Sequence, residues 1–378
     1  MGSHALPRSR ILVVDDEPAM LRAVERILVR QHRVFCHSSP QEALSQAPRQ
    51  RPHVAIVDVQ MSGMDGFDLT RALKQLDPQL RVILMTGSAY GTDEKLIRAI
   101  EEQVFYFIHK PFDRTVLRTL VARCLELRRL EDENHRYLEH LESQLAEARA
   151  FQRTMLPAPR AELEGLRIHT AYHPSTELAG DLCDYAVAAP AQVAVLVADV
   201  VGHGASAAML TALVKSSFNA VQSEGYDPEA VVRRVSEGIA AFDPGRFVTL
   251  LAARIDRAAG RLDYVNAGHE GGLIARPGEA ARLLESTGPI ISPALINLGL
   301  GWSRASVPFP ARSRLLLYTD GISEAALGAE EFGRQPLIDR LGEGLADAEL
   351  LDTLLADVER FSPEPAADDR TLLTVTSL

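Results

Sequence analysis

Residues 193–210 read VAVLVADVVGHGASAAML. Six apolar residues run without a break into Asp199, and Gly202-His203-Gly204 then leads into an alanine-rich segment. The run has the length and composition of a buried strand, and Ala205–Phe218 has the pattern of a helix. A carboxylate left unpaired at the margin of a core is costly, so Asp199 needs a partner. Asp199 and His203 also argue against reading Val193–Val214 as a membrane span.

Working outward, the same half of the chain sets further acidic residues where strands end. Asp181 lies in LAGDLCDY, Asp320 in LLLYTDGISEA, and Asp368-Asp369 in ADDRTLLTV. Aspartate is a poor strand residue. An ordinary turn would serve for Asp320-Gly321 alone, since Asp-Gly is a turn signal. It does not serve for the set. A pair of divalent cations would neutralise the group, and a carboxylate-only donor set favours Mg²⁺ or Mn²⁺ over zinc. Two such ions roughly 3.5–4 Å apart suit in-line hydrolysis of a phosphate monoester without a covalent intermediate. Strand-like runs at Val248–Ala252, Leu262–Val265, Leu315–Tyr318 and Leu372–Thr376 alternate irregularly with helical patterns, including Pro228–Ala240. That predicts an α+β domain with mainly antiparallel sheet over residues 157–378.

Composition frames the rest. A chain of 378 residues, 46% hydrophobic and 24% charged, has room for two or three soluble domains. A net charge of −11 argues against broad attraction to nucleic acid or anionic membrane. Cys36, Cys124 and Cys183 show no paired spacing for zinc or redox chemistry, which suits a reducing compartment. The opening MGSHALPRSR has no apolar core for a signal peptide, and its Gly-Ser-His reads as a cloning scar. A cytoplasmic protein is the expectation.

Residues 9–124 differ in pattern. Apolar runs at Ile11–Val14, Val34–Cys36, Val54–Val57, Val82–Met85 and Phe105–Ile108 alternate with helix-like segments that open near Pro18, Pro40 and Gly66. Five βα repeats predict a doubly wound α/β domain with five parallel strands. Reactive groups in such sheets gather beyond the carboxyl ends of the strands. Those ends carry Asp15 and Asp16, Asp58, Thr86 and Lys110. Three clustered carboxylates call for a hard divalent cation such as Mg²⁺. A carboxylate held there can attack a phosphoryl donor, while a Lys and a Thr hydroxyl hold the new oxygens.

Between the two lies LELRRLEDENHRYLEHLESQLAEARAFQRTML, residues 125–156, with no Gly and no Pro. Leu127, Leu130, Leu138, Leu141, Leu145 and Ala148 recur at gaps of three and four, with Asn134 in the missing position. That is a coiled-coil seam, interrupted once in its heptad. The plainer reading is a connector helix lying on a neighbouring domain. Nothing stops the helix expected after Pro111 before this stretch, so one uninterrupted helix is predicted from the first domain into the linker.

The motifs VVDDE, IVDVQMSGMDG, MTG and HKPF, in that order, resemble the CheY-like receiver domain of response regulators. The resemblance implies Asp58 as phosphoacceptor, Asp15 and Asp16 as the acid pocket, and the Gln60 carbonyl as a further Mg²⁺ ligand. It also implies Thr86 and Lys110 as switch residues, with Phe107 at the aromatic switch position. Ser62 stands where Pro is usual, and Gln103-Val104 where Gly-Ala is common, departures expected to matter little.

GD, DVVGHGASAAML, FVTLLAARID, NAGHEGGLI, LLLYTDGISEA, EEFG and DDRT resemble the metal-dependent type 2C serine/threonine phosphatases of the SpoIIE/RsbU branch. FQRTMLPAP resembles the entry segment of such domains. By this resemblance Asp199 bridges two Mn²⁺ or Mg²⁺ ions and the Val200 carbonyl helps to hold one. Asp181 serves the second-metal side, and Asp320 and Asp368 complete the first, with Asp369 a neighbour. His203, Gly204 and His269 are read as structural. Ala179, Gly271-Gly272 and an expanded segment near Ile290–Leu300 depart from the family pattern.

Together these imply a response regulator whose phosphatase output acts on a phosphorylated STAS-type anti-sigma-factor antagonist. A sensor histidine kinase would be its phosphodonor partner, and it would form a homodimer through the linker. The alternative is a non-catalytic RssB-like adaptor that binds a sigma factor or its regulator. Survival of all four acidic ligands favours the enzyme. No helix-turn-helix or basic output segment follows the receiver, so direct nucleic-acid binding is not expected.

Overall fold

A computed structural model describes residues 8–87, 104–202, 204–276, 278–364 and 366–378. The chain divides into two compact units, with the boundary between Leu141 and Glu142. None of the helices among the described residues is long and apolar enough to cross a membrane.

The first unit is a parallel sheet. Strands β1 (Arg10–Val14), β2 (Arg33–His37), β3 (Val54–Asp58), β4 (Arg81–Thr86) and β5 (Tyr106–His109) are ordered β2-β1-β3-β4-β5. All neighbouring pairs are parallel, as the βα pattern predicted. Helices α1 (Pro18–Leu28) and α2 (Pro40–Gln50) each begin with a proline, whose missing N–H costs nothing at that position. In α3 (Gly66–Leu76) the Asp65 carboxylate caps the Asp68 N–H. The β3 strand is buried along its whole length, so Asp58 at its end emerges from a wall of Val and Ile.

Helix α4 runs unbroken from Arg114 to Met155. The unit boundary falls inside it, so the stretch expected as a separate linker is shared between the two units. Leu117, Val121 and Cys124 are buried against the receiver sheet. A little further on, Arg128 pairs with Asp77 at 3.0 Å and Glu131 with Arg81. Beyond these, Leu130, Leu138, Leu141 and Leu145 are exposed, as is Asn134.

The second unit stacks two mixed-length antiparallel sheets. One joins β8 (Asp181–Ala189), β9 (Gln192–Val200), β10 (Val248–Asp256), β11 (Arg261–Ala267) and β14 (Ala305–Pro308) in the order β14-β11-β10-β9-β8. The other joins β6 (Arg160–Leu163), β7 (Leu166–His173), β12 (Gly271–Ala275), β13 (Arg282–Leu283), β15 (Arg314–Tyr318) and β18 (Arg370–Ser377) in the order β13-β12-β15-β18-β7-β6. A short hairpin pairs β16 (Ala326–Leu327) with β17 (Glu330–Glu331).

Alternation along each strand decides the layers. Val193, Val195 and Val197 point between the sheets toward Leu315, Leu317 and Leu373. Leu196 and Ala198 face outward onto α5 (Ala205–Ala220) and α6 (Pro228–Ile239). On the opposite side Leu316 and Leu372 pack under α9 (Gln335–Gly342) and α10 (Asp347–Phe361). Two one-turn helices, α7 (Pro293–Asn297) and α8 (Asp320–Ser323), complete the unit; α7 lies in the segment that sequence reading marked as expanded. This helix–sheet–sheet–helix sandwich is the α+β arrangement expected for this half.

Candidate active site

In the receiver unit, Asp15, Asp16 and Asp58 bring carboxylate oxygens within 4.8 Å of one another. Asp15 and Asp58 are buried and Asp16 is exposed. Lys110 Nζ reaches Asp15 Oδ2 at 2.6 Å and Asp58 Oδ1 at 3.0 Å. Burial pushes the Asp58 carboxyl up, against the pull of the Lys110 ammonium, and it stands above the ordinary carboxylate value. Burial alone would lower Lys110, but hydrogen bonds to Asp15 and Asp58 hold it above its usual value. Thr86 closes β4, and its carbonyl accepts from the Lys110 N–H at 2.8 Å. Gln60 is exposed just past β3. Phe107 is half-buried, its ring 6.3 Å from that of Phe67. The oxygen-only donor trio and its single lysine fit a hard cation beside an acyl-phosphate site.

Ser62 has more to do than its substitution for proline suggested. Its N–H and its hydroxyl both donate to Asp16 Oδ2, at 3.2 and 3.0 Å. A proline could supply neither bond.

In the second unit the decisive register is between β8 and β9, where Asp181 lies opposite Asp199. Asp181 is 2% exposed, and its Oδ2 accepts from the hydroxyls of Thr371 at 2.6 Å and Thr319 at 2.7 Å. Burial and the neighbouring Asp199 charge drive the Asp181 carboxyl well above its ordinary value. Asp199 is pushed up to about 7 by burial, then by Asp320 and Asp368. Asp320 rises to about 6 through burial and the Asp368 charge. These carboxylates are linked by charge: Asp199 opposes ionisation of Asp181, and Asp320 and Asp368 that of Asp199, although among the described residues only Asp15, Asp16 and Asp58 bring ligand oxygens within 4.8 Å of one another. Divalent cations among them would remove that opposition, and the hard oxygen donors fit Mg²⁺ or Mn²⁺.

Asp368 and Asp369 differ in their partners. Asp369 Oδ1 accepts from Ser175 N–H and Oγ at 2.7 and 3.0 Å, and its Oδ2 accepts from Gly180 N–H at 2.7 Å. With both oxygens engaged by the loop that leads to Asp181, Asp369 positions that loop, while Asp368 Oδ1 accepts from the Asp369 N–H at 2.8 Å and its charge opposes ionisation of Asp199 and Asp320. Glycine at 321 is required by this arrangement, since a Cβ there would collide with the Asp369 carbonyl. Gly180 also lies close to the Val200 carbonyl, 2.6 Å from where its Cβ would stand.

His269 is 4% exposed and fully engaged. Nδ1 meets Thr249 Oγ1 at 2.8 Å and Nε2 meets the Tyr318 carbonyl at 3.1 Å. Burial lowers it to about 4, so it is neutral near pH 7. It braces β10 against β15 and has no free nitrogen for acid–base work. His203 lies outside the described residues.

Sequence reading passed over Gln152. This residue of α4 is 6% exposed, donates to the Ala179 carbonyl at 2.8 Å and to Thr211 Oγ1 at 3.3 Å, and accepts from Ala179 N–H at 3.1 Å. It grips the chain two residues before Asp181. The only signal in the sequence was its place within FQRTMLPAP.

Comparison with known proteins agrees with both units. Residues 11–122 match the response regulator receiver domain family, and residues 189–377, half of the chain, match Stage II sporulation protein E (SpoIIE). Phosphoserine phosphatase RsbP of Bacillus subtilis (strain 168) is 30% identical over 182 residues, which are 47% of this chain and 44% of that protein. Sporulation initiation phosphotransferase F of the same organism is 28% identical over 120 residues, 32% of this chain and 95% of that one. The solved SiaA-PP2C domain of Pseudomonas aeruginosa superposes with a TM-score of 0.55 at 21% identity, covering 64% of this chain and 97% of that one, a likeness of fold. The chain spans less than half the length of RsbP. With residues 189–377 matched and a receiver ahead of them, the chain belongs to the SpoIIE family and carries a response regulator receiver domain.

Proposed function

We propose that this chain is a two-component response regulator in which phosphorylation of Asp58 controls a metal-dependent protein serine/threonine phosphatase. The observation that carries the reading is the chain of acidic neighbours in which Asp199 opposes ionisation of Asp181, Asp320 and Asp368 oppose that of Asp199, and Asp368 that of Asp320. Two Mn²⁺ or Mg²⁺ ions bound there would supply Lewis acidity toward a phosphate ester. The chain's own residues do the positioning. Thr319 and Thr371 fix the Asp181 carboxylate, Asp369 fixes the approach to it, and the Val200 carbonyl lies against Gly180.

The receiver would bind one Mg²⁺ through Asp15, Asp16, Asp58 and the Gln60 carbonyl, and take its phosphoryl group from a sensor histidine kinase. Lys110, already paired with Asp58, would hold a phosphoryl oxygen, and Thr86 another. The substrate would be a phosphorylated STAS-type anti-sigma-factor antagonist, met in the cytoplasm. The exposed leucines of α4 support a homodimer through that helix, since Leu130, Leu138, Leu141 and Leu145 repeat on one side of it. Glutamate at Leu138 and Leu141 should then give a monomer in sedimentation.

The test is Mn²⁺-dependent hydrolysis of a phosphorylated STAS protein, with and without beryllofluoride on the receiver. Turnover that depends on Mn²⁺ and changes with beryllofluoride is expected. No turnover by the unaltered chain under either condition would sink the enzyme reading, and an Asp58→Ala chain that still responds to a phosphoryl donor would sink the regulatory one.

A further inference from the structure

Arg370 opens β18 directly after the Asp368-Asp369 pair. Along this strand Thr371 turns inward to Asp181, and Leu373 joins the core between the sheets. Leu372 faces the other way, into the layer under α9 and α10. Arg370 shares that second side by alternation. It lines a cavity of about 580 Å³ together with Asp320, Glu324, Ser362, Glu364 and Asp368.

The side chain is out of keeping with its surroundings. Arg370 is 8% exposed, and its buried Nε has no hydrogen-bond partner among the described residues. Other arginines of this unit take carboxylates: Arg314 pairs with Asp347 at 2.9 Å, Arg334 with Glu270 at 2.9 Å and Arg340 with Asp357 at 2.7 Å. A lysine or histidine could relieve burial by losing its proton, but a guanidinium keeps its charge. A buried charge with an unmet donor is costly unless an anion completes it. Asp320 and Asp368 belong to the proposed metal set, and Glu324 and Glu364 are exposed.

We propose that Arg370 and the cavity it lines form an oxyanion subsite beside the metal centre, taking an acidic group that arrives with the substrate. The inference rests on the phosphatase reading for its substrate, although the site itself is defined by Arg370. The shared chemistry is an oxyanion accepting from the guanidinium, and it has two sources: a carboxylate next to the phosphoserine of the polypeptide, or the phosphate released from it. The cavity is many times the ~30 Å³ share of one water, so a flanking side chain has room. This subsite would favour phosphoserines with acidic neighbours, a preference that the four ligand aspartates alone would oppose.

The test uses the full chain with Mn²⁺, two phosphoserine peptides that differ only by Asp or Asn beside the phosphoserine, and calorimetry with inorganic phosphate. Arg370→Gln should lower kcat/KM on the Asp peptide by about tenfold or more, as expected for one charge-assisted hydrogen bond, and change the Asn peptide by less than about twofold. Arg370→Lys should recover part of the loss. Equal losses on both peptides, with weakened phosphate binding, would assign the subsite to phosphate. If Arg370→Gln melts as the unaltered chain does and alters neither the peptide kinetics nor phosphate affinity, the proposal is wrong. Should Arg370→Gln fail to fold, Arg370→Lys decides: unchanged discrimination between the peptides together with unchanged phosphate affinity overturns it. Should the unaltered chain hydrolyse neither peptide yet bind phosphate through Arg370, the phosphatase reading fails and the subsite stands.

Discussion

Asp181 and Asp199 stand opposite each other on β8 and β9, two carboxylates placed side by side by strand register, the first buried and the second half-buried. The Asp199 charge raises the cost of ionising Asp181, after burial has raised it already. The chain folds around this repulsion because the hydroxyls of Thr319 and Thr371 offset part of it at Asp181. Asp199 has the charges of Asp320 and Asp368 added on its other side.

Replacing Asp199 by Asn should therefore separate metal binding from folding. In the metal-free chain the Asp199 carboxyl titrates near 7 instead of near 3.8. A raised carboxyl contributes stability that is fully present below the unfolded value and is lost as pH rises through about 7. Asp199→Asn should thus melt higher than the unaltered metal-free chain at pH 8, and show less difference at pH 5. Added Mn²⁺ should raise the melting temperature of the unaltered chain at pH 8 and raise that of the variant far less. Calorimetry should show Mn²⁺ affinity weakened by more than the about 10–100-fold that loss of an outer partner costs. An Asn variant with unaltered Mn²⁺ affinity would remove Asp199 from the metal set.

Much of this was legible beforehand, for identifiable reasons. Parallel strands in the receiver followed from apolar runs too short and too regular to be anything else. The four aspartates announced themselves because Asp is out of place at the end of VAVLVA or LLLYT. What escaped were residues whose importance is three-dimensional. Thr319 and Thr371 look like ordinary strand residues until Asp181 is placed between them. Gln152 looks like one polar residue among many on a charged helix, and its partner lies 27 positions away. The leucines of α4 were legible as a pattern, and in the single chain Leu130, Leu138, Leu141 and Leu145 are exposed.

Ser62 was judged a minor departure, and its two bonds to Asp16 give it a measurable effect. A cation drawn to Asp16 must share Oδ2 with the Ser62 donors. Ser62→Ala keeps the backbone N–H and removes the hydroxyl. Mg²⁺ affinity of the receiver should then rise, by roughly twofold to tenfold if the lost bond is worth about 0.5–1.5 kcal/mol. Magnesium titration followed by calorimetry, on chains whose phosphatase site carries Asp199→Asn in common, would measure it. Weaker Mg²⁺ binding in Ser62→Ala would mean that the hydroxyl orients Asp16 for the cation and does not compete with it.

The acid limb of stability should carry the mark of His269. Its folded value near 4 lies below the ordinary 6.5 because burial disfavours the imidazolium. A depressed group gives stability that is present above the unfolded value and is lost as pH falls through the folded one. Between pH 6.5 and about 4, this residue should therefore contribute a slope of about 1.4 kcal/mol per pH unit. His269→Gln retains a donor and an acceptor without the titration, so its thermal melts should decline less steeply over that window. Equal slopes in both chains would show that other groups govern the acid transition.

The last prediction concerns the grip of α4 on the metal loop. Gln152 satisfies both the N–H and the carbonyl of Ala179, and Gly180 and Asp181 follow directly. Substituting Leu keeps the apolar volume but leaves two buried backbone groups unmet, each costing about 1–3 kcal/mol. The loop can recover those bonds only by moving toward water, which takes Asp181 from beneath Thr319 and Thr371. Gln152→Leu should consequently lower the melting temperature, weaken Mn²⁺ binding, and blunt any change that beryllofluoride produces in phosphatase activity. These three effects distinguish a transmitter from a simple anchor, because an anchor predicts only the first. If Gln152→Leu loses stability while Mn²⁺ affinity and the beryllofluoride response hold, the helix end merely fastens the sandwich, and the proposed control by Asp58 does not run through Gln152.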